Sequence, residues 1–269
     1  MDESEIGRFR EAERIWQSGS AVAAQIHFDL SLNGQDPRIR LASAEVLIDR
    51  LKLPRAPEQL LEVCAVGIQC ARQLADSRDE ALFMAKRAEY LVTWNGLTLL
   101  PARKRLRMAP GWFAFSLERD EKRYAELTKQ IEANEREADD LTAAALTICD
   151  TVADRSTKGR VLMSVGTIAF QRYLDLKLEA LPSRIRVPGW LLARLREHCF
   201  DEYVLYDSHT RRKMPSFVEE DESSFIEAAQ LCRDAGEDET AAYAFYNLAN
   251  TLRSAYRFSR ALRHLNQAR

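Results

Sequence analysis

A chain of 269 residues with 10 glycines and 8 prolines carries about half the usual share of chain breakers, which argues against an all-β fold and for long helices. Hydrophobic residues make up 46% and charged residues 30%, so the chain can bury a core and is not a disordered tail. Lys and Arg number 39 against 41 Asp and Glu, a net charge of −2 that excludes a uniformly basic nucleic-acid binder but leaves room for a local anion site.

The opening MDESEIGRFREAER is acidic and amphipathic, unlike a secretory signal. Helical periodicity runs from Glu3 to Gln17, with Ile6, Phe9 and Ile15 near one stripe. SGS interrupts it, and 21–32 continues. NGQDP breaks the chain; Asp36 is placed to cap a helix with Pro37 at its first position. Pro57 opens the next helix, through about Ala75, and Ser77–Arg78–Asp79 starts another that reaches about Leu99.

Trp112–Ala153 reads as one long helix or two, with charge pairs such as Glu118/Lys122 and Glu132/Arg136 at helical spacing. That pattern fits a solvated face. A helix over 157–181 follows, then one over 190–206. YDSHTRRKMPSFVEEDESS reads as a long polar loop, and three closing helices are expected near 222–235, 238–254 and 257–268. No run is apolar enough to span a membrane, so no membrane partner is expected. The five cysteines form no C-x-x-C pair and read as reduced thiols of a cytoplasmic protein. The expectation is all-α: antiparallel helical hairpins, about ten helices in all, stacked as one array over 1–269.

Two segments share a plan: LPARKRLRMAPGW (100–112) and LPSRIRVPGW (181–190). Each runs Leu-Pro, a small residue, basic residues, then Pro-Gly-Trp. One reading is helix punctuation, with a proline stop, cations after a helix C-terminus, a proline start and a buried Trp112 or Trp190. The functional reading has Arg103, Lys104, Arg105, Arg107, Arg184 and Arg186 converge from neighbouring loops to bind phosphate, RNA or single-stranded DNA, or an acidic peptide.

The C-terminal part carries a repeat signal. In FYNLANTLRSAYRFSRALRHLNQA, Phe245, Leu248, Ala249, Leu252, Ala261, Leu265 and Ala268 alternate large and small residues as close helix pairing requires. This stretch resembles a tetratricopeptide repeat, with Ala for Gly, Leu for Tyr, and Tyr256 at the turn. A second register also fits, through Phe225, Ala228, Ala229, Cys232, Gly236, Ala241, Phe245 and Leu248. The resemblance covers 222–269 best; 1–206 has only the texture of divergent helical hairpins. It implies a TPR-like α-solenoid that binds a peptide or partner protein on its concave face. In the first register Tyr246, Asn247, Asn250 and Arg253 fall at groove positions; in the second they lie on the convex side.

Solenoids ordinarily end in a polar capping helix, whereas the last helix here has an apolar face with Leu262 and Leu265. A further domain, or a partner at that end, is therefore expected. Nucleotide-binding, zinc-protease and nucleophile-elbow motifs are absent, and none of the four histidines has a Glu three residues before it. His198, Cys199 and His209 match no common zinc spacing, and Asp207 with His209 sits in the polar segment expected to be a loop. The sequence thus calls for no cofactor and no metal. It points first to an interaction module, scaffold or regulatory sensor, next to a polyanion-binding subunit acting through 101–107 and 183–186, and last to a helical enzyme of unrecognised motif.

Overall fold

The computed structural model describes residues 3–16, 21–51, 57–108, 114–180, 208–254 and 257–268, and among them every regular element is helical. The elements are α1 (Glu3–Trp16), α2 (Ala21–Asn33), α3 (Pro37–Arg50), α4 (Pro57–Leu74) and α5 (Ser77–Trp94), then a π-helical turn (Asn95–Leu99). They continue as α6 (Leu100–Met108), α7 (Ala114–Val152), α8 (Arg155–Ala180), α9 (Ser208–Asp234), α10 (Asp238–Ser254) and α11 (Phe258–Gln267).

Local chemistry sets the boundaries. Asp36 caps α3, its Oδ1 accepting from Arg38 N at 2.9 Å, with Pro37 at the first helical position. Buried Glu5 accepts from the backbone N–H groups of Gln35 and Asp36 at 2.7 and 3.2 Å, which ties α1 to the start of α3. Asp76, rather than Ser77, caps α5 by accepting from Arg78 N and Asp79 N at 3.1 Å. The charged 114–152 segment is one helix, since its mixed-sign pairs suit an exposed face and no breaker interrupts it.

Two expectations are corrected. The first basic segment is not a loop: the chain stays helical through Pro101 as α6. Proline lacks the N–H an α-helix would use there, and its ring collides with a carbonyl one turn back. The π turn directly before it widens the backbone, with Leu100 N–H donating to Asn95 O five residues back. Leu99, Leu100, Ala102 and Leu106 then pack α6 on Leu127 and Ile131 of α7. The second correction concerns 206–224: from Ser208 onward the backbone is helical as part of α9. The segment is polar but rich in strong helix formers, and polarity marks exposure rather than loss of helix. The helix expected over 190–206, with Trp190, and the anchor Trp112 lie outside the described residues.

Helices neighbouring in sequence pack in order from α1 to α5; α5 then lies against both α7 and α8, α8 against α9, α9 against α10, and α10 against α11. This is a solenoid-like all-α array. Its first core joins α3, α4, α5, α7 and α8 through Leu47, Val63, Phe83, Val92, Ala145 and Val161. Gly67 on α4 makes room for the buried Phe83 ring, which a Cβ there would strike. A second core joins α8 to α11 through Tyr173, Phe225, Ala228, Phe245, Leu248 and Ala261. Positions of both repeat registers are buried in it, and Tyr173 also donates to Ser254 O at 3.0 Å.

The turns α4/α5, α7/α8 and α9/α10 are equivalent. Each helix ends on a left-handed residue: Ala75 (φ 53°), Ala153 (φ 55°) and Gly236 (φ 81°). The following residue bonds back around the helix end at two of them, Asp76 N to Ala71 O and Glu237 N to Cys232 O, both 2.8 Å. The turns lie along one edge and touch in sequence: Arg78 Nε is 3.8 Å from Asp154 Oδ2, Arg155 Nη1 is 3.9 Å from Asp234 Oδ2, and Ser156 donates to Glu237.

Candidate functional site

A cleft of about 1130 Å³ is lined by one face each of α3, α5, α8 and α10 and by α11; α4, α7 and α9 do not reach it. It exceeds the range of about 300–1,000 Å³ common for small-molecule pockets, so it has room for a chain segment.

One wall is apolar and exposed. Tyr243 and Tyr246 on α10 stack with ring centroids 6.4 Å apart and planes at 23°. They are 55% and 49% exposed, and Leu262 of α11 beside them is 62% exposed. Large apolar side chains left this open across two adjacent helices form a patch rather than scattered exceptions. Leu265 extends it.

The faces of α3, α5 and α8 carry ion pairs. Asp49 of α3 meets Arg160 of α8 at 3.2 Å. On the floor, Lys86 Nζ of α5 lies 2.8 Å from Glu89 Oε2, and Ser164 Oγ of α8 donates to the same oxygen at 2.8 Å. Burial pushes the Lys86 ammonium down, but the Glu89 carboxylate beside it, with Asp49 further off, more than offsets this and its pKa is raised. Lys86 is therefore a fixed cation, not a neutral base or nucleophile. Burial raises the Tyr90 hydroxyl far above its ordinary range, so Tyr90 offers a neutral O–H. The described cysteines Cys64, Cys70, Cys149 and Cys232 are buried thiols. Burial pushes Cys149 and Cys232 up to about 11, which leaves them unreactive.

Of the groove residues expected from sequence, Tyr246 lines the cleft. Asn247 and Asn250, half-buried, and exposed Arg253 lie on α10 but not on this surface. Their helix is nonetheless a cleft wall, and its turn from α9 has the same left-handed end as those at α4/α5 and α7/α8.

The basic residues are differently placed. Arg103 turns against α7, with its guanidinium 5.8 Å from the Tyr124 ring centre and Nη1 3.4 Å from Thr128 Oγ1. Arg105 is exposed, its Nε 3.4 Å from Pro101 O, and Lys104 is half-buried. The side chain of Arg107, and Arg184 and Arg186 entirely, lie outside the described residues, as do Asp207, His198, Cys199 and the side chain of His209. Among the described residues no cluster of three His, Cys, Asp or Glu groups could hold a metal.

Sequence reading missed Tyr243, Lys86, Glu89 and Ser164. Tyr243 could have been found as the i−3 neighbour of Tyr246 on a face outside the apolar repeat pattern. Lys86 and Glu89 are an i, i+3 pair that looks like any solvated pair, and nothing local links them to Ser164. No family model matches the sequence, and no curated protein matches it.

Proposed function

We propose that this protein is an interaction module, a scaffold or regulatory sensor, that binds a peptide segment of a partner protein in the cleft between α3, α5, α8 and α10. The observation that carries this reading is the stacked, half-exposed Tyr243–Tyr246 pair facing that cleft beside exposed Leu262. Aromatic side chains with an apolar body and a polar tip are the residues that most often anchor interfaces. The tetratricopeptide resemblance of 222–269 supports the same reading in its first register, where the helix in the place of α10 lines the groove.

The test is selection from a random displayed-peptide library against the full chain, followed by affinity measurement on Tyr243→Ala/Tyr246→Ala. Each anchor should contribute on the order of 1–2 kcal/mol, so the double variant should lose at least about tenfold in affinity. Selected peptides that bind the double variant as tightly as the parent would remove the cleft from the interaction.

A further inference from the structure

The charge of the cleft says what kind of peptide it takes. Lys86 is matched by Glu89 and Arg160 by Asp49, so both cations on its walls are already paired. Glu239, at the first turn of α10, lines the cleft as an exposed carboxylate without an ion pair among the described residues. Two more carboxyls lie one helical turn beyond its lining residues. Glu45 lies one helical turn before Asp49 on α3, and Asp79 lies one turn before the cleft-lining Leu82 on α5, so both continue the faces that line it. Glu45 and Asp79 hydrogen-bond to each other across α3 and α5. The nearest cations are engaged elsewhere: Arg160 with Asp49, and Arg78 beside Asp154. The pair shares one proton and so carries a single negative charge; with Asp49, Glu89 and Glu239 this makes four negative charges against the two cations Lys86 and Arg160.

We propose that the occupant of the cleft is a basic peptide segment, whose Arg or Lys side chains meet Glu239 and the Glu45–Asp79 pair while its apolar side chains lie on Tyr243, Tyr246 and Leu262. This rests on the peptide-binding reading above and deepens it. Three features converge. Exposed Glu239 and the singly charged Glu45–Asp79 pair supply charge complementarity. The electron-rich faces of the tyrosines accept a cation as readily as a methylene stem. The neutralised floor lets apolar side chains settle without meeting a bare charge. The same excess of carboxylates repels a nucleic-acid backbone, so this face is not the site of a polyanion.

The experiment uses the full chain and two labelled synthetic peptides, one alternating Arg with Leu and one with Glu in place of each Arg, read by fluorescence anisotropy. The Arg/Leu peptide should bind and the Glu/Leu peptide should not. Glu239→Lys should weaken the Arg/Leu peptide about fivefold. Glu62→Lys, on α4 away from the cleft, should leave it unchanged, and circular dichroism should show each variant folded. Equal or tighter binding of the Glu/Leu peptide, or unchanged affinity in Glu239→Lys, would overturn the charge assignment and leave peptide binding standing. Binding of neither peptide would overturn both.

Discussion

Ser164 on α8 and Lys86 on α5 meet at one atom, Glu89 Oε2, each 2.8 Å away. The three groups join the two helices at the floor of the cleft. Ser164 and Glu89 are nearly inaccessible, so both must be satisfied by protein groups. Glu89→Ala would leave a largely buried ammonium and a buried hydroxyl without partners. The expected loss is about 2–3 kcal/mol in urea unfolding. Glu89→Gln keeps an oxygen for Ser164 and should cost less, about 1–2 kcal/mol. Equal losses in the two variants would assign the whole contribution to the carboxylate charge, whereas a Gln variant as stable as the parent would assign it to packing.

Gly96, inside the π turn, marks a second junction. A Cβ there would collide with Gln171 Nε2 and Asp175 Oδ1 of α8. Beside it Asn95 is fully buried, donating to Glu135 Oε1 at 3.0 Å and to Ile131 O at 3.4 Å, and accepting from Asn134 at 2.7 Å. Arg172 of α8 binds Glu135 and Asp139 at 2.8 and 2.7 Å, so α5, α7 and α8 are held by one polar network. Gly96→Ala should cost about 1–3 kcal/mol by overpacking. Gly7→Ala, where a Cβ meets nothing, is the control and should be neutral or slightly stabilising.

The same junction shows what the sequence could tell. Asp36 and Pro37 were legible as a helix start because capping is local chemistry. Pro101 was misread because the rule that proline ends a helix assumes a regular α-helix before it. Here a π turn removes the clash, held by the buried contacts of Asn95 and Gly96 with helices far along the chain. Residues 208–221 were misread because their polarity says only that they are exposed. In the cleft, Tyr246 was legible through the repeat pattern of one helix. The Lys86–Glu89–Ser164 cluster was not, since its members become neighbours only when α5 meets α8. The turns held a local signal that was overlooked: LADS at 74–77 and VADR at 152–155 are near-copies, each with Ala at the left-handed position.

Those two alanines give a third prediction. A left-handed backbone costs an L-residue with a Cβ roughly 1 kcal/mol, whereas glycine adopts it freely. Ala75→Gly and Ala153→Gly should each stabilise the fold by about 0.5–1 kcal/mol, less the greater flexibility glycine gives the unfolded chain. Gly236→Ala should destabilise by a similar amount, although a Cβ there meets no atom. Chemical denaturation of the three single variants measures this directly. A loss of stability in both alanine variants would show that the turns are not held by the helix-end geometry described above.

Acid should act through His27. Its ring is fully buried between Phe9, at 5.2 Å edge-on, and Trp16, at 5.5 Å. Burial lowers its pKa below the ordinary 6.5, and Glu13, 3.2 Å from Nε2, only partly offsets this. Below pH 6.5 the unfolded chain takes up a proton that the folded chain resists, so stability falls as the solution is acidified. His27→Leu should flatten this limb of the stability profile. An unchanged slope in that variant would assign the acid sensitivity to other groups.

Glu45 should act in the opposite direction. Burial first, and then the neighbouring Asp79, push its carboxyl up to about 7 from an ordinary 4.5, with Asp49 adding to the rise and Arg160 opposing it. Asp79 is raised as well, by burial and by Asp76, with Arg160 and Arg78 opposing, so the pair titrates as a unit that retains a proton. Between pH 4.5 and 7 the folded chain therefore binds more protons than the unfolded one. Stability that is fully present near pH 4.5 is lost progressively as the pH rises through 7. Glu45→Gln supplies a permanent neutral donor to Asp79 in place of the shared proton. It should be more stable than the parent at pH 8 and nearly equal to it at pH 5, in thermal melts across that range. A parent that gains stability relative to Glu45→Gln as the pH rises would mean that the pair is ionised in the fold, with the carboxylates held by Arg160 rather than by their own proton.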